Sequence, residues 1–225
     1  MKRALIVAFA MLGSALLAEV DFGQIYVEAE KAAKAKDFVT AEAKYGEALK
    51  VAQSSKQKCD AIIGKFRALR GQKKIRDAEK FAIASVESET LEPLEIRHIL
   101  NTVAGTLLWS PRTDFALDLM KQAQNIECPK KSNVYYKTYF NMASLYRRKH
   151  MSQEVIEVLE NVTSVKEQHP ANLYTANMMT GAAYEDLGKK EDALKHYKAA
   201  LEYGKKVKYK FAFSAAEQAV ERLNK

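Results

Sequence analysis

The sequence predicts an all-α fold, and three observations support this prediction. Apolar residues recur at spacings of three and four positions almost to the C-terminus, which is the period of an amphipathic helix. Runs that alternate with a period of two are scarce after Val20, and so are the turn dipeptides that connect strands. A pattern of about 38 residues also repeats along the chain.

The repeat is clearest in "EDALKHYKAAL", where Ala193 is followed by Tyr197 and Ala200. The segment "VTAEAKYGEAL" has the same residue types at identical offsets, and three further segments match more loosely. The first residue of each match serves as an anchor, and consecutive anchors are 37, 38, 39 and 38 residues apart. The anchors are Ala41, Ala78, Ala116, Val155 and Ala193.

Each anchor is predicted to lie in the second helix of a pair. A small residue there lets two helices approach closely, and the bulky residue one turn later fills the gap toward the neighbouring pair. Helix-stop chemistry is expected at Gly71, Pro111 and Gly188. The first helices are expected at about 23–35, 57–70, 93–108, 133–148 and 171–187.

The domain organisation follows from this spacing. Residues 19–225 are predicted to form one helical-repeat domain, with five units at about 22–55, 56–90, 92–127, 131–168 and 170–205. Residues 206–225 then form a capping helix, because an open stack needs a terminal helix over its last hydrophobic face. Its apolar stripe comprises Phe211, Phe213, Ala216, Val220 and Leu223.

This arrangement resembles the tetratricopeptide repeat (TPR), whose first helix carries a small residue three before an aromatic. The match is best in the fifth unit and next best in the fourth. The third unit fits either as Gly105 with Leu108 or as Ala104 with Leu107, and the first two units fit loosely. The resemblance implies a right-handed α–α superhelix of about five hairpins. The fifth-unit residues that match are Gly181, Tyr184, Ala193, Tyr197 and Ala200, and those of the fourth are Ala143, Tyr146, Val155, Leu159 and Val162.

The first eighteen residues read as a secretory signal peptide. Lys2 and Arg3 precede an uninterrupted run of apolar and small residues from Ala4 to Ala18. A retained membrane anchor is the alternative, but this run is shorter than the roughly 20 residues that span a bilayer. Cleavage is expected after Ala15 or Ala18, and the mature protein then has no integral membrane span and lies in the periplasm or is secreted.

Composition favours an anionic protein surface over nucleic acid as the partner. Without Lys2 and Arg3 the basic count falls from 36 to 34 against 28 acidic residues, which leaves a net charge of about +6. An exported protein with this charge meets envelope surfaces or acidic segments of partners. The two cysteines, Cys59 and Cys128, lie two hairpins apart in the predicted stack, too far for a disulfide.

The sequence carries no recognisable catalytic or metal-binding motif. The four histidines are scattered with no cysteine or histidine at ligand spacing, and no phosphate-binding glycine loop or nucleophile elbow is present. We therefore predict that the protein is not an enzyme and needs no metal or cofactor. Self-association through the first units is compatible with every function considered.

In TPR proteins the first helices line a concave groove, and this resemblance implies that the groove here binds a protein or peptide. Phe140, Trp109 and Met178 are candidate hydrophobic anchors, while Lys65, Lys137 and Arg147 could meet an acidic segment. Three asparagines, Asn101, Asn141 and Asn177, are candidate ligands for a peptide backbone. The alternative is an accessory protein for cell-wall or polysaccharide material, with Trp109 stacked on sugars. The predicted groove residues are Lys65, Thr102, Thr106, Trp109, Lys137, Phe140, Ser144, Arg147, Met178 and Glu185.

Overall fold

The computed structural model describes residues 21–165, 168–207 and 214–225, and in these ranges the chain forms eleven α-helices and no β-strand. The predicted signal peptide at 1–18, with Phe211 and Phe213, lies outside the described residues. The chain divides into two compact units, with the boundary in sequence between Leu91 and Glu92. The all-α prediction is confirmed.

The first unit contains two helical hairpins. Successive helices pack against each other, and α1 also contacts α3, so the two first helices are neighbours. The helices are α1 (Phe22–Lys34), α2 (Phe38–Val51), α3 (Ser55–Gly71) and α4 (Ile75–Ser88).

The second unit contains three hairpins and a terminal helix, again packed in sequence order. The first helices contact one another, α5 with α7 and α7 with α9. The helices are α5 (Pro93–Gly105), α6 (Thr113–Gln124), α7 (Asn133–Arg148), α8 (Ser152–Thr163), α9 (Pro170–Asp186), α10 (Lys190–Lys205) and α11 (Ser214–Leu223).

Local sequence explains where several helices begin. Ser54 and Gln57 form a capping box at the start of α3, in which each side chain accepts a hydrogen bond from the other residue's backbone N–H. Ser132 accepts a hydrogen bond of 3.1 Å from the backbone N–H of Tyr135 at the start of α7. Pro93 and Pro170 occupy first-turn positions of α5 and α9, where a missing N–H costs nothing.

Four hairpins share one type of turn between their two helices. In each, a residue with positive φ lies two positions beyond the end of the first helix, and the next backbone N–H bonds to a carbonyl five residues earlier. Gly188, at φ 70°, was predicted from the sequence to end a helix. Helix α3 ends at Gly71, as predicted, but the left-handed residue of its turn is Lys73, at φ 63°. The positive-φ residues are Lys36, Lys73, His150 and Gly188.

The anchor residues form the core, as the repeat predicts. All five anchors are at most 1% exposed. Tyr45, four residues after the first anchor, packs with Ala29 of its own hairpin and Ala68 of the next. It also lies so close to Gly64 that a Cβ there would be 2.3 Å from the ring. The aromatic side chain therefore fills the space between consecutive hairpins.

The terminal helix α11 repeats this packing at the end of the second unit. Tyr197 lies against Gly181 of its own hairpin and clusters with Ala193 and with Ala219 of α11. Arg222 of α11 forms an ion pair of 2.6 Å with Glu185 of α9. Thus α11 takes the place of the next first helix, and the predicted capping role is confirmed.

Burial resolves the register that the sequence left open in the third unit. Ala104 is fully buried and Leu107 is 4% exposed, whereas Gly105 and Leu108 are only half-buried. Ala104 and Leu107 are therefore the core pair, and the alignment without a gap is correct.

Two further predictions concern membranes and thiols. No helix in the described ranges is long and apolar enough to cross a bilayer. Cys59 is buried in α3 of the first unit, Cys128 is half-buried in the loop before α7, and neither forms a disulfide in the described part of the chain.

Candidate functional site

A cavity of about 410 Å³ lies between α5 and α7, the first helices of two neighbouring hairpins in the second unit. We call it the α5–α7 cavity. Its volume falls within the range of small-ligand and side-chain pockets. The lining residues are His98, Asn101, Thr102, Gly105, Leu108, Val134, Tyr136, Lys137, Phe140 and Asn141.

The lining follows from helical periodicity on the two first helices. On α5 the contributing residues are one, three or four positions apart, so they share one face, and α7 presents a matching face. The small size of Gly105 opens space between the helices, since a Cβ there would meet only the Asn141 amide at 3.5 Å. The two helices touch, and the cavity occupies the groove beside their contact.

Two aromatic rings form the apolar wall. Tyr136 and Phe140 stack with their centroids 5.5 Å apart and their planes at 28°. Both side chains are half-buried, so part of each ring is accessible from the cavity. Burial raises the pKa of Tyr136, while a hydrogen bond with Thr175 acts in the opposite direction. The pair offers a flat apolar surface for an inserted side chain.

Buried polar groups form the floor. Asn101 is 5% exposed, and its amide donates to Thr138 Oγ1 at 2.9 Å and to the carbonyl of Val134 at 3.1 Å. Asn101 Oδ1 is buried without a hydrogen-bond partner. The side chain of Asn141 forms no hydrogen bond with a described residue. Two amides at this site thus retain unused hydrogen-bonding capacity.

Lys137 supplies a positive charge at the rim. Its side chain is exposed, and within the described ranges its ammonium forms no ion pair. Its stem lines the cavity beside the aromatic wall. An unpaired ammonium beside an apolar surface favours a ligand that combines a negative charge with an apolar group.

Three of the ten predicted groove residues, Thr102, Lys137 and Phe140, meet at this cavity. Thr106 and Ser144 lie near it in sequence but are absent from its lining. Their hydroxyls donate within their own helical turns, to Val103 O at 2.7 Å and to Phe140 O at 2.9 Å. Those hydroxyls satisfy local backbone carbonyls.

Trp109 and Arg147 lie at the surface, outside the cavity lining. Trp109 is 80% exposed in the long turn between α5 and α6, and the guanidinium of Arg148 lies 5.6 Å from its ring centroid. Arg147 is exposed near the end of α7 and forms no ion pair in the described part of the chain.

Met178 and Glu185 contact the terminal helix. Met178 packs against the cluster of Ala193, Tyr197 and Ala219, and Ala219 belongs to α11. The Glu185 carboxylate accepts hydrogen bonds from Arg222 and from the Tyr197 hydroxyl. Hydrogen bonding from Arg222 lowers the pKa of Glu185 below its usual value. Both predicted groove residues thus hold α11.

Lys65 belongs to the first unit. Its ammonium lies 4.6 Å from the centroid of the Phe81 ring, in a cation–π contact. Asn177, considered as a ligand for a backbone, is buried at 5% exposure. Its amide donates to Leu173 O at 2.8 Å, and its oxygen lies 2.9 Å from His196 Nδ1.

Sequence reasoning placed neither His98 nor Tyr136 in the groove. Each lies one helical turn before a predicted groove residue, His98 before Thr102 and Tyr136 before Phe140. Extending each predicted position by one turn along its helix would have found both. No group of three or more potential metal-binding side chains occurs among the described residues.

The fold of the chain is that of the TPR proteins. Solved structures with this fold match it, among them MamA, which is 21% identical over 82% of this chain and 93% of its own with a TM-score of 0.59. YrrB, described as a TPR protein with an unusual peptide-binding site, is 16% identical over 94% of this chain and 98% of its own, with a TM-score of 0.57.

TTC0263, a thermophilic TPR protein in Thermus thermophilus, is 15% identical over 89% of this chain and 100% of its own, with a TM-score of 0.52. No family model matches the sequence, and neither does any curated protein. The predicted TPR resemblance is therefore confirmed as a likeness of fold.

Proposed function

We propose that the protein is a non-catalytic scaffold that binds an extended segment of a partner protein in the α5–α7 cavity. One observation carries the proposal: a half-buried aromatic pair, unused amide groups and an unpaired ammonium converge on one groove between first helices. The described peptide-binding site of YrrB, a protein of the same fold, supports this use of the fold.

The cavity defines the chemistry of the segment. An apolar side chain of the partner would stack on Tyr136 and Phe140, and a backbone amide would bond to Asn141. An acidic residue next to that apolar side chain would pair with Lys137. We therefore propose a short extended motif that contains one apolar and one acidic residue.

We further propose that the scaffold works outside the cytoplasm, in the periplasm or as a secreted protein. The support is the charged and apolar pattern of residues 1–18 together with the positive charge of the rest of the chain. Cell fractionation of a C-terminally tagged full chain tests this. Recovery of an unprocessed protein in the cytoplasm alone would contradict it.

Site-specific photocrosslinking in intact native cells tests the binding site. A photoreactive residue replaces Phe140 in the cavity, and a matched control replaces Lys198, which is exposed on the second helix α10. We expect a crosslinked partner from Phe140 and none from Lys198. Equal capture at both positions, or no capture, would contradict the proposal.

The crosslinked segment of the partner then provides a defined ligand. A synthetic peptide of that segment should bind the purified protein, replacing its acidic residue by the amide should weaken binding, and Lys137→Glu should weaken it further because it adds repulsion between like charges. If neither change alters the Kd, the proposed pairing with Lys137 is wrong.

A second candidate function rests on Trp109. Its indole is 80% exposed, so the ring is accessible to a ligand such as a sugar that stacks on aromatic faces. If the protein is an accessory for cell-wall or polysaccharide material, isolated wall material should retain the purified protein without any partner, and Trp109→Ala should abolish this. Retention unchanged by Trp109→Ala would exclude this use of Trp109.

A further inference from the structure

Arg97 on α5 is buried, at 2% exposure, without a carboxylate partner. Its Nε donates to Thr138 Oγ1 at 2.8 Å and its Nη1 donates to the carbonyl of Ile126 at 2.7 Å. Its Nη2 is buried with no hydrogen bond, and no carboxylate in the described part of the chain pairs with it. A buried charge in this state is costly, and structures usually retain it by pairing it with an anion.

Two tyrosine rings hold the guanidinium in place. Its central carbon lies 5.2 Å from the centroid of Tyr135 and 5.6 Å from that of Tyr139. The Tyr135 hydroxyl donates to the carbonyl of Asn161 at 3.2 Å, which fixes that ring against α8. Cation–π contacts stabilise the charge but leave the N–H groups of Nη2 unsatisfied.

Arg97 and both rings line a second cavity, of about 660 Å³, which we call the Arg97 cavity. It shares no lining residue with the α5–α7 cavity. Most of the remaining wall comes from the loop that joins α6 to α7, including the exposed Lys130 and Glu127 and the half-buried Cys128. The charges of Lys130 and Glu127 offset each other, so the guanidinium of Arg97 gives the lining a net positive charge.

The geometry points to a carboxylate-binding site: we propose that the Arg97 cavity binds the carboxylate of a ligand whose flat apolar part lies along the tyrosine rings. A guanidinium matches a planar carboxylate better than an ammonium does, because its N–H groups form a rigid planar fork. The volume admits a small aromatic acid or the C-terminal residue of a peptide. The shared chemistry is a carboxylate next to an apolar group.

Cys128 provides a built-in reporter for this cavity, because it lies in the lining and is half-buried. The full-length protein is alkylated with neutral iodoacetamide at constant ionic strength, and peptide mass spectrometry measures the rate at each cysteine. Benzoate is the probe, and benzamide is its uncharged isostere. The buried Cys59 serves as an internal reference, since its labelling should not respond to benzoate.

We expect benzoate to bind with a Kd on the order of 1 mM, as suits a ligand of its size. At ten times the Kd it should slow alkylation of Cys128 about tenfold, because labelling then requires the unoccupied fraction. Benzamide should have no such effect. Equal protection by both compounds, or none from benzoate well above about 1 mM, would overturn the proposal.

Two variants test whether the protection of Cys128 depends on Arg97 itself or only on the overall positive charge of the protein. Arg97→Met should remove the protection, whereas the control Arg148→Met, which removes an exposed charge stacked on Trp109, should retain it. Protection that survives Arg97→Met would refute the assignment. If circular dichroism shows that Arg97→Met does not fold, the comparison of benzoate with benzamide in the wild-type protein decides whether the cavity binds a carboxylate.

The carboxylate could come from the C-terminus of a peptide or from a small organic acid. Comparing a peptide that has a free C-terminal carboxylate with the same peptide as its C-terminal amide distinguishes these sources. Protection by the free-acid peptide at lower concentrations than benzoate would identify a chain terminus as the ligand. Protection by benzoate without any effect of the peptide would identify a small organic acid.

Discussion

Replacing Gly64 by alanine should destabilise the first unit by about 3 kcal/mol, because a Cβ at this position would lie 2.3–2.6 Å from three atoms of the Tyr45 ring. Tyr45 is 2% exposed, and its hydroxyl donates to the carboxylate of Glu30. The ring therefore moves only by breaking that bond and repacking the core between two hairpins.

The magnitude follows from three opposing terms. Alanine gains about 1 kcal/mol of helix propensity over glycine in a helix interior. Overpacking a core costs about 1–3 kcal/mol, and losing a hydrogen bond to a charged group costs about 1.5–3 kcal/mol. The costs exceed the gain, so the variant should be less stable although alanine is the better helix former.

Urea denaturation followed by circular dichroism measures the total effect, and hydrogen exchange in α2 and α3 localises it to the first unit. Gly46→Ala is the matched control, because a Cβ there would meet only Lys65 Nζ, at 3.7 Å. This control should be stabilised by up to about 1 kcal/mol. Tyr45→Leu should partly rescue Gly64→Ala. If Gly64→Ala is as stable as Gly46→Ala, close packing at Gly64 does not limit stability.

Three further predictions concern the cap, the groove and the thiols. Glu185→Gln should lower stability at pH 7, and this difference should shrink as the pH falls below about 4.5. The hydrogen bond from Arg222 lowers the pKa of Glu185 in the folded protein. The stability that the ionised carboxylate contributes is therefore fully present above its ordinary pKa of 4.5 and is lost as the pH falls through the lower folded-state pKa. A difference in urea midpoints that does not change with pH would contradict this. Lys137→Glu should weaken binding of the crosslinked peptide about tenfold without loss of helicity, and Lys198→Glu should leave it unchanged, as measured by calorimetry. Ellman titration of the denatured, unreduced monomer should find both cysteines as thiols, and finding none would refute the prediction that they form no disulfide.

The helical repeat was predictable because it is local in sequence. Ala41, Ala78 and Ala193 recur at nearly constant spacing, and each is fully buried in the second helix of a hairpin. A small residue at an anchor reports the close approach of two helices without reference to the rest of the chain. The left-handed residue after Gly71 was not predictable, because Lys73, like Lys36, is not a residue type that usually adopts positive φ.

The candidate site was predictable only in part. Thr102, Lys137 and Phe140 face one cavity because helical periodicity places them on adjoining faces of α5 and α7. Met178 occupies the position on α9 that corresponds to Thr102 and Phe140, yet it packs against a cluster that includes Ala219 of α11. The repeat pattern predicts that equivalent positions line the groove, whereas at the end of the stack such a position packs against the terminal helix instead.

Composition and periodicity therefore suffice for the helices, their pairing into hairpins and the cap, since each depends on residues within one repeat of each other. The two cavities and the buried Arg97 are decided by packing between hairpins. Arg97 meets Thr138 from 41 residues away and Ile126 from 29 residues away. These contacts are made at one place in the stack by residues that the repeat does not share, so they leave no periodic signal in the sequence.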